Sequence, residues 1–292
     1  MTEIAIVTAP IITNRIDRWN RGKNRIEFRE GPKEFMKHWE NNGHGLFDIG
    51  QLDDGSGITK DNIRNYIDFY KKLYEQNYTP VTIGGDHSVT VPPMLAAAEV
   101  HNVDYARFDR DIDAIDFDEN RNPLDYACPF LDEFNFSFIL NALCSKPSFL
   151  HIGGYFDENS ASHNPFDMKI EDHIASAMRL IKKYHKVDFL TEQNKNKHPK
   201  LIKNFVARSK RPLYVSVDTD FLGEVPASSY GYTPLTSQMS MKDYESYFKL
   251  LSKRKIVGMD ICEITNNDKH AVSAKYAAEI LKYSLSLIEH KN

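Results

Sequence analysis

Residues 212–220, with the sequence PLYVSVDTD, form an apolar run of strand length that leads directly into Asp218 and Asp220. A buried strand rarely ends in two carboxylates for packing reasons, because an unpaired buried charge is costly. Metal ligation by both aspartates would resolve that cost, while helix capping and turn formation are the alternative interpretation. The same pattern, an apolar run followed by acidic or glycine residues, recurs along the chain.

Apolar runs of strand length alternate with segments of helical periodicity. The predicted strands are residues 4–8, 78–83, 103–108, 148–152, 212–217 and 255–261. The predicted helices are residues 33–41, 60–76, 92–101, 136–143, 170–184, 241–251 and 271–289. This alternation predicts an α/β fold with a mostly parallel central sheet covered by helices on both faces. Ligands in such folds bind beyond the carboxyl ends of the strands, where nearly every run of interest ends in Gly, Asp or Glu.

Length and composition are those of one large α/β domain. The chain has 292 residues, of which 41% are hydrophobic and 27% charged, and we expect a single domain over residues 1–292. The polar stretch at residues 191–200, TEQNKNKHPK, is interpreted as a surface loop within that domain.

Charge and patterning exclude several classes of partner. The formal net charge of −4 implies no basic face, so nucleic acid is not an expected partner. The sequence lacks the run of roughly 18 or more apolar residues that a membrane span needs, and the acidic Glu3 is atypical of a secretory signal. Because Cys128, Cys144 and Cys262 are widely separated and odd in number, we expect no disulfide framework and a cytoplasmic location.

Two motifs place chemically active residues after predicted strands. In GGDHS, residues 84–88, the glycines allow a tight turn that presents Asp86 and His87, although an ordinary strand-to-helix loop can have the same pattern. Glu263 follows the strand predicted at residues 255–261, where a solvent-exposed acid is the alternative interpretation.

A third motif repeats aspartate at every second position, in Asp109, Asp111 and Asp113. If the preceding strand continues through them, the three carboxylates point to one face and repel each other unless a cation lies among them. A solvated acidic loop is the alternative. A calcium-binding loop is disfavoured, because Ala114 stands where that loop needs glycine and Asn120 where it needs glutamate.

Together these motifs resemble the arginase–agmatinase (ureohydrolase) family over almost the whole chain. The matching segments, in the order of the family, are residues 31–32, 47–50, 80–88, 109–113, 151–154 and 216–220, followed by Glu263. The resemblance implies an arginase-like three-layer α/β/α fold. It also implies a hydrolase that acts on the C–N bond of a linear amidine, not on a peptide bond.

The resemblance implies roles for individual residues. The implied metal ligands are His87, Asp109, Asp111, Asp113, Asp218 and Asp220. Of these, Asp109 and Asp218 would bridge two metals, and Asp220 would bind the second. Asp113 would also orient a metal-bridging hydroxide, and Glu263 would pair with the guanidinium-like group of the substrate. The family usually uses manganese, so two Mn²⁺ ions per chain are expected, and an oxygen-rich ligand set suits a hard ion.

Two departures from the family lie within the aspartate motif. Asp111 stands where the family has histidine; it can ligate the same metal, but the replacement is expected to weaken or abolish the second metal site. Arg110 occupies a position where most relatives of the family have a small residue. We expect its side chain to point to the opposite face of the strand and form a structural ion pair, with neutralisation of one aspartate as the alternative.

The other departures concern substrate recognition. Ile115 stands where arginine-hydrolysing relatives have an asparagine that recognises the α-carboxylate of the substrate. Residues 132–134, with the sequence DEF, lack the proton-shuttle histidine of the family. His163 is a candidate substitute, with a solvent-exposed loop histidine as the alternative. Glu158 aligns with a carboxylate that contacts the substrate's amino group.

We therefore predict a metal-dependent hydrolase of a small-molecule or peptide-linked guanidino or formimino compound other than free arginine. The alternative is a catalytically inactive binding or regulatory protein on the same scaffold, with one metal or none. A third possibility is different metal chemistry on the same frame. The family often forms trimers or hexamers, so a homo-oligomer is expected.

Overall fold

Eight strands, all parallel, form one central sheet in the part of the chain that the structure describes. The computed structural model describes residues 3–11, 26–53, 58, 62–110, 147–154, 186–225, 239–266 and 271–289. The strands are β1 (Glu3–Ala9), β2 (Gly45–Asp48), β3 (Tyr78–Gly84), β4 (Asp104–Phe108), β5 (Ser148–Ile152), β6 (Lys186–Leu190), β7 (Leu213–Asp218) and β8 (Ile256–Cys262). Their order across the sheet is β2-β1-β3-β8-β7-β4-β5-β6.

Helices follow or precede most of these strands. The described α-helices are α1 (Ile26–Arg29), α2 (Gly31–Phe35), α3 (Ile63–Glu75), α4 (Val91–His101), α5 (His198–Arg208), α6 (Met241–Leu251) and α7 (Val272–Ile288). Short 3-10 helices span Gly50–Leu52, His87–Thr90, Glu192–Lys197 and Thr219–Phe221. Among the described residues, no helix is both long enough and apolar enough to cross a membrane.

Alternate residues of the central strands enter two separate hydrophobic cores. In β7, Leu213, Val215 and Val217 lie in the core that also contains residues of α5, α6 and α7, while Tyr214 lies in the core formed with α3 and α4. Every residue of β4, β5, β7 and β8 is buried. Strands covered on both faces are typical of parallel sheets with helices on each side. The prediction of a mostly parallel, helix-covered α/β sheet is therefore confirmed.

Several local predictions were wrong. Residues 191–200 are not a loop, because Glu192–Lys197 forms a 3-10 helix and α5 begins at His198. His198 is buried and its Nε2 lies 2.8 Å from the backbone oxygen of Thr191, which fixes the start of the helix. The signal was Pro199, since proline is favoured in the first turn of a helix.

The boundaries of other elements also differ from the prediction. Strands β2 and β6 and helix α5 were not predicted, and α2 is shorter than the helix expected at residues 33–41. β4 ends at Phe108, so the described structure has no strand that continues through Asp109 and Arg110. The helices predicted at residues 136–143 and 170–184 lie outside the described residues.

Candidate metal centre

The four strands at the middle of the sheet bring the candidate residues together. In the order β3-β8-β7-β4 they are neighbours, and each ends at the same edge because all are parallel. His87 lies just after β3, Glu263 just after β8, Asp218 at the end of β7 and Asp109 just after β4. The carboxyl edge of the sheet is thus the candidate site, as expected for an open α/β sheet.

The turn after β3 positions His87. Asp86 caps the 3-10 helix His87–Thr90, and its Oδ1 accepts a hydrogen bond of 3.1 Å from the backbone N–H of Ser88. Asp86 is thereby used to form the turn, which leaves His87 to face the candidate centre. Gly85 is required here because a Cβ at its position would lie 1.8 Å from the backbone oxygen of Ile11.

The first cluster at this edge contains His87, Asp109 and Asp218. The Nδ1 atom of His87 lies 3.4 Å from Oδ2 of Asp109 and 3.2 Å from Oδ2 of Asp218. One ligand atom from each residue lies within 4.8 Å of the others, and all three residues are buried. One imidazole and two carboxylates at this spacing form a candidate cradle for a divalent cation.

A second cluster contains Asp218, Asp220 and Glu263, whose ligand atoms also lie within 4.8 Å of one another. Asp218 caps the 3-10 helix Thr219–Phe221, and its Oδ1 accepts a hydrogen bond of 2.8 Å from the backbone N–H of Asp220. Asp218 and Asp220, which were both predicted to be metal ligands, therefore lie in the same turn. Helix capping, the alternative interpretation, is also correct for Asp218.

Glu263 adopts a left-handed backbone conformation with φ of 55°. That region is unfavourable for residues other than glycine and persists only where the surroundings impose it. Here the backbone N–H of Glu263 donates to the oxygen of Gly85 at 2.8 Å, and the Thr219 hydroxyl donates to the backbone oxygen of Glu263 at 2.9 Å. The Glu263 side chain is buried beside the acidic cluster, so it is not the solvent-exposed acid of the alternative interpretation.

The acidic cluster is electrostatically unfavourable as an isolated set of charges. Burial, and then the nearby carboxylates of Asp220 and Glu263, raise the pKa of Asp218 well above its usual value, while a hydrogen bond with His87 opposes that change. Loss of hydration and repulsion between like charges both disfavour the ionised form. A bound cation would reverse both effects.

A polar network behind His87 was not predicted. The Nε2 atom of His87 lies 3.2 Å from Oγ of Ser216, and Ser216 donates to Oδ1 of Asp260 at 2.8 Å. Thr90 donates to the same Asp260 oxygen at 2.8 Å. Burial raises the pKa of Asp260 to about 6. One available signal was that Ser216 precedes Asp218 by two positions in a strand and so points to the same face.

Arg107 is another residue that sequence reasoning missed. It is fully buried in β4, and its Nε lies 3.6 Å from Oδ2 of Asp109. The only sequence signal was an arginine inside an apolar strand.

Arg110 does not point to the opposite face of a strand, as was predicted. Its Nη2 lies 3.0 Å from Oδ2 of Asp220, and its backbone N–H donates to Oδ1 of Asp220 at 3.3 Å. An ion pair of Arg110 was expected, but its partner Asp220 is not one of the three motif aspartates that the alternative interpretation named. The reason is that β4 ends at Phe108, so strand alternation does not apply to Arg110.

Several predicted functional residues lie outside the described residues: Asp111, Asp113, Ile115, residues 132–134, Glu158 and His163. Their roles stay predictions. The structure brings together the other predicted site residues: His87, Asp109, Asp218, Asp220 and Glu263.

The fold and the centre define a class: a parallel α/β sheet with a histidine and several carboxylates at the carboxyl edge of its middle strands. The model of the arginase family matches residues 3–286, and this chain belongs to the arginase family. The resemblance seen in the sequence is thereby confirmed.

Similar proteins agree with this assignment. An uncharacterized 32.2 kDa protein in the hmfB 3' region of Methanothermus fervidus is 22% identical over 236 residues, which is 81% of this chain and 73% of that protein. Proclavaminate amidino hydrolase from Streptomyces clavuligerus has a TM-score of 0.70 and 19% identity, covering 100% of this chain and 93% of the other. Formimidoylglutamase from Bacillus subtilis has a TM-score of 0.69 and 16% identity, covering 99% and 88%. At these identities the structural likeness establishes the fold.

Proposed function

We propose that this chain is a divalent-metal-dependent hydrolase that breaks a C–N bond in a guanidino or formimino compound. The observation that carries the proposal is the buried convergence of His87, Asp109 and Asp218 at the carboxyl edge of the sheet. Membership of the arginase family supports it, because the family name denotes hydrolysis of a guanidino group.

The residues present fit a hard divalent ion. Two carboxylates and one imidazole suit Mn²⁺, which is the ion we propose. When bound, such an ion would lower the pKa of a water molecule and supply a nucleophile at neutral pH. The second Mn²⁺ ion expected from the sequence would need Asp220, whose carboxylate pairs with Arg110.

The chain's own residues would prepare the site for this ion. Ser216 lies within hydrogen-bonding distance of Nε2 of His87, which orients the ring so that Nδ1 faces Asp109 and Asp218. Such outer contacts set the tautomer and orientation of a ligating histidine. Glu263, fixed by its two backbone contacts, would accept hydrogen bonds from the planar cation of the substrate. Asp113 is proposed to orient the attacking water.

The substrate is proposed to be a small-molecule or peptide-linked guanidino or formimino compound. The similar folds include an amidino hydrolase and a formimidoylglutamase, whose names denote these two chemical groups. Ile115 lacks the amide that would read the α-carboxylate of free arginine, which supports a different substrate. An inactive protein without metal is not favoured, because a buried acidic cluster and a strained Glu263 are costly without a ligand.

A substrate screen tests this proposal. The metal-stripped chain is supplied with Mn²⁺ and incubated with guanidino and formimino compounds, free arginine included, while urea, ammonia and formamide are measured. We expect release of product from at least one compound other than arginine, only in the presence of Mn²⁺. The Asp218→Asn variant should lose this activity. Activity that survives metal removal, or that is unchanged in Asp218→Asn, would contradict the proposal.

A further inference from the structure

Arg110 contacts both carboxylate oxygens of Asp220. The guanidinium contacts Oδ2 at 3.0 Å, and the backbone N–H of the same residue contacts Oδ1 at 3.3 Å. The two side chains are only 9% and 4% exposed, so solvent screens their attraction weakly. Asp220 is therefore held by a cation that belongs to the chain itself.

The contact between Arg110 and Asp220 and the replacement of a family histidine by Asp111 both bear on the second metal ion. By resemblance to the family, Asp220 would bind the second metal, and Asp111 replaces a histidine whose loss is expected to weaken that second site. The first cluster, by contrast, keeps His87, Asp109 and Asp218 within 4.8 Å. Both changes therefore act on one of the two expected ions and leave the other intact.

A guanidinium is an effective substitute for a cation at this position. It keeps its charge at every physiological pH and presents several donors in a planar fork that matches a carboxylate. For a metal ion to bind Asp220, Arg110 would have to leave a largely buried ion pair, and breaking such a pair exposes an uncompensated charge. The ion pair thus competes directly with the second metal.

We propose that Arg110 takes the place of the second metal ion, so that this chain binds one divalent ion, at His87, Asp109 and Asp218. This inference rests on the metal centre of the proposed function. It revises the expected number of ions from two to one. The substrate would then meet a centre with one exchangeable cation and one fixed cation.

Metal stoichiometry tests the inference without any substrate. The full-length chain and an Arg110→Ala variant are stripped, incubated with excess Mn²⁺, desalted and analysed for manganese per chain, with calorimetric titration of Mn²⁺ in parallel. We expect one ion per chain in the parent and two in Arg110→Ala. Two ions in the parent, or an unchanged count of one in a folded Arg110→Ala variant, would overturn the inference.

Two further variants control for misfolding and for general loss of charge. Asp220→Asn removes the paired carboxylate, which is also the ligand that a second ion would need, and it should still bind one ion per chain; a folded Asp220→Asn chain that binds no ion would overturn the inference. Arg64→Ala removes an arginine whose exposed side chain pairs with Glu99, and it should leave the count unchanged. A second ion in Arg64→Ala would show that the gain is not specific to Arg110.

The outcome is separable from that of the proposed function. A parent chain that binds one ion but releases no product supports this inference and contradicts the proposed activity. A parent chain that binds two ions and releases product does the opposite. A chain that binds no ion contradicts both.

Discussion

Nε of Arg107 donates a hydrogen bond of 3.1 Å to Nδ1 of His151, its register partner on the neighbouring strand. The guanidinium carbon also lies 5.7 Å from the centre of the Phe149 ring. With Asp109 at 3.6 Å, these contacts compensate a positive charge that is completely enclosed in the sheet. Arg107 thereby links a candidate metal ligand to the interior of the fold.

Replacing Arg107 by methionine should be strongly destabilising. The change keeps the apolar stem but leaves the Asp109 carboxylate without this nearby cation, and breaking a buried ion pair costs about 3–5 kcal/mol. We expect a free energy of unfolding lower by about 3 kcal/mol, measured by urea denaturation. Arg64→Ala, which breaks an exposed pair, should cost about 1 kcal/mol or less. Equal costs for the two variants would contradict a special role for Arg107.

Replacing Ser216 by alanine should weaken metal binding while the fold stays intact. The variant removes the hydroxyl that lies 3.2 Å from Nε2 of His87, so the imidazole ring loses an orienting contact. Loss of such a contact typically lowers metal affinity about 10- to 100-fold. Calorimetric titration with Mn²⁺ measures this effect. Ser286→Ala, which removes a solvent-exposed hydroxyl, is the matched control and should bind like the parent.

The contact between Ser216 and His87 also illustrates what the sequence reveals about this protein. Short stretches of sequence show where most of the strands lie and which acidic residues follow them. These local features predict the α/β fold and most of the metal centre. The partners of Arg107, Arg110 and Ser216 cannot be read in this way. They depend on which parallel strands are neighbours and where β4 ends, and these properties arise from tertiary packing.

Affinity for Mn²⁺ should rise with pH. The pKa of Asp218 is raised by burial and by neighbouring carboxylates, so Asp218 retains its proton to a higher pH than an ordinary aspartate and the metal must displace it. A raised carboxyl pKa also means that the metal-free fold loses stability as pH increases from the ordinary aspartate value to the raised one. Titrations at successive pH values above the ordinary aspartate pKa of about 4 test this expectation. Affinity that does not increase as the pH rises would contradict it.

Glu263→Gly should abolish activity without destabilising the fold. Glycine tolerates the left-handed conformation at φ of 55°, so the change relieves backbone strain of about 1 kcal/mol and removes one repelling carboxylate. We expect a thermal midpoint equal to or above that of the parent. Ala271→Gly relieves similar strain at φ of 52°, at a residue that does not belong to the acidic cluster, and should keep full activity. A marked loss of stability in Glu263→Gly would indicate that Glu263 is a structural residue.

The polar network behind the centre joins residues that are remote in the chain. Thr90 and Asp260 are separated by 170 positions, and His87 and Ser216 by 129. Loops of this length must close before such contacts form, so we expect these contacts to form late in folding. During synthesis, a growing chain therefore lacks the complete centre until β8 has emerged and docked between β3 and β7. Manganese would then stabilise the finished protein and would not guide the early steps of its folding.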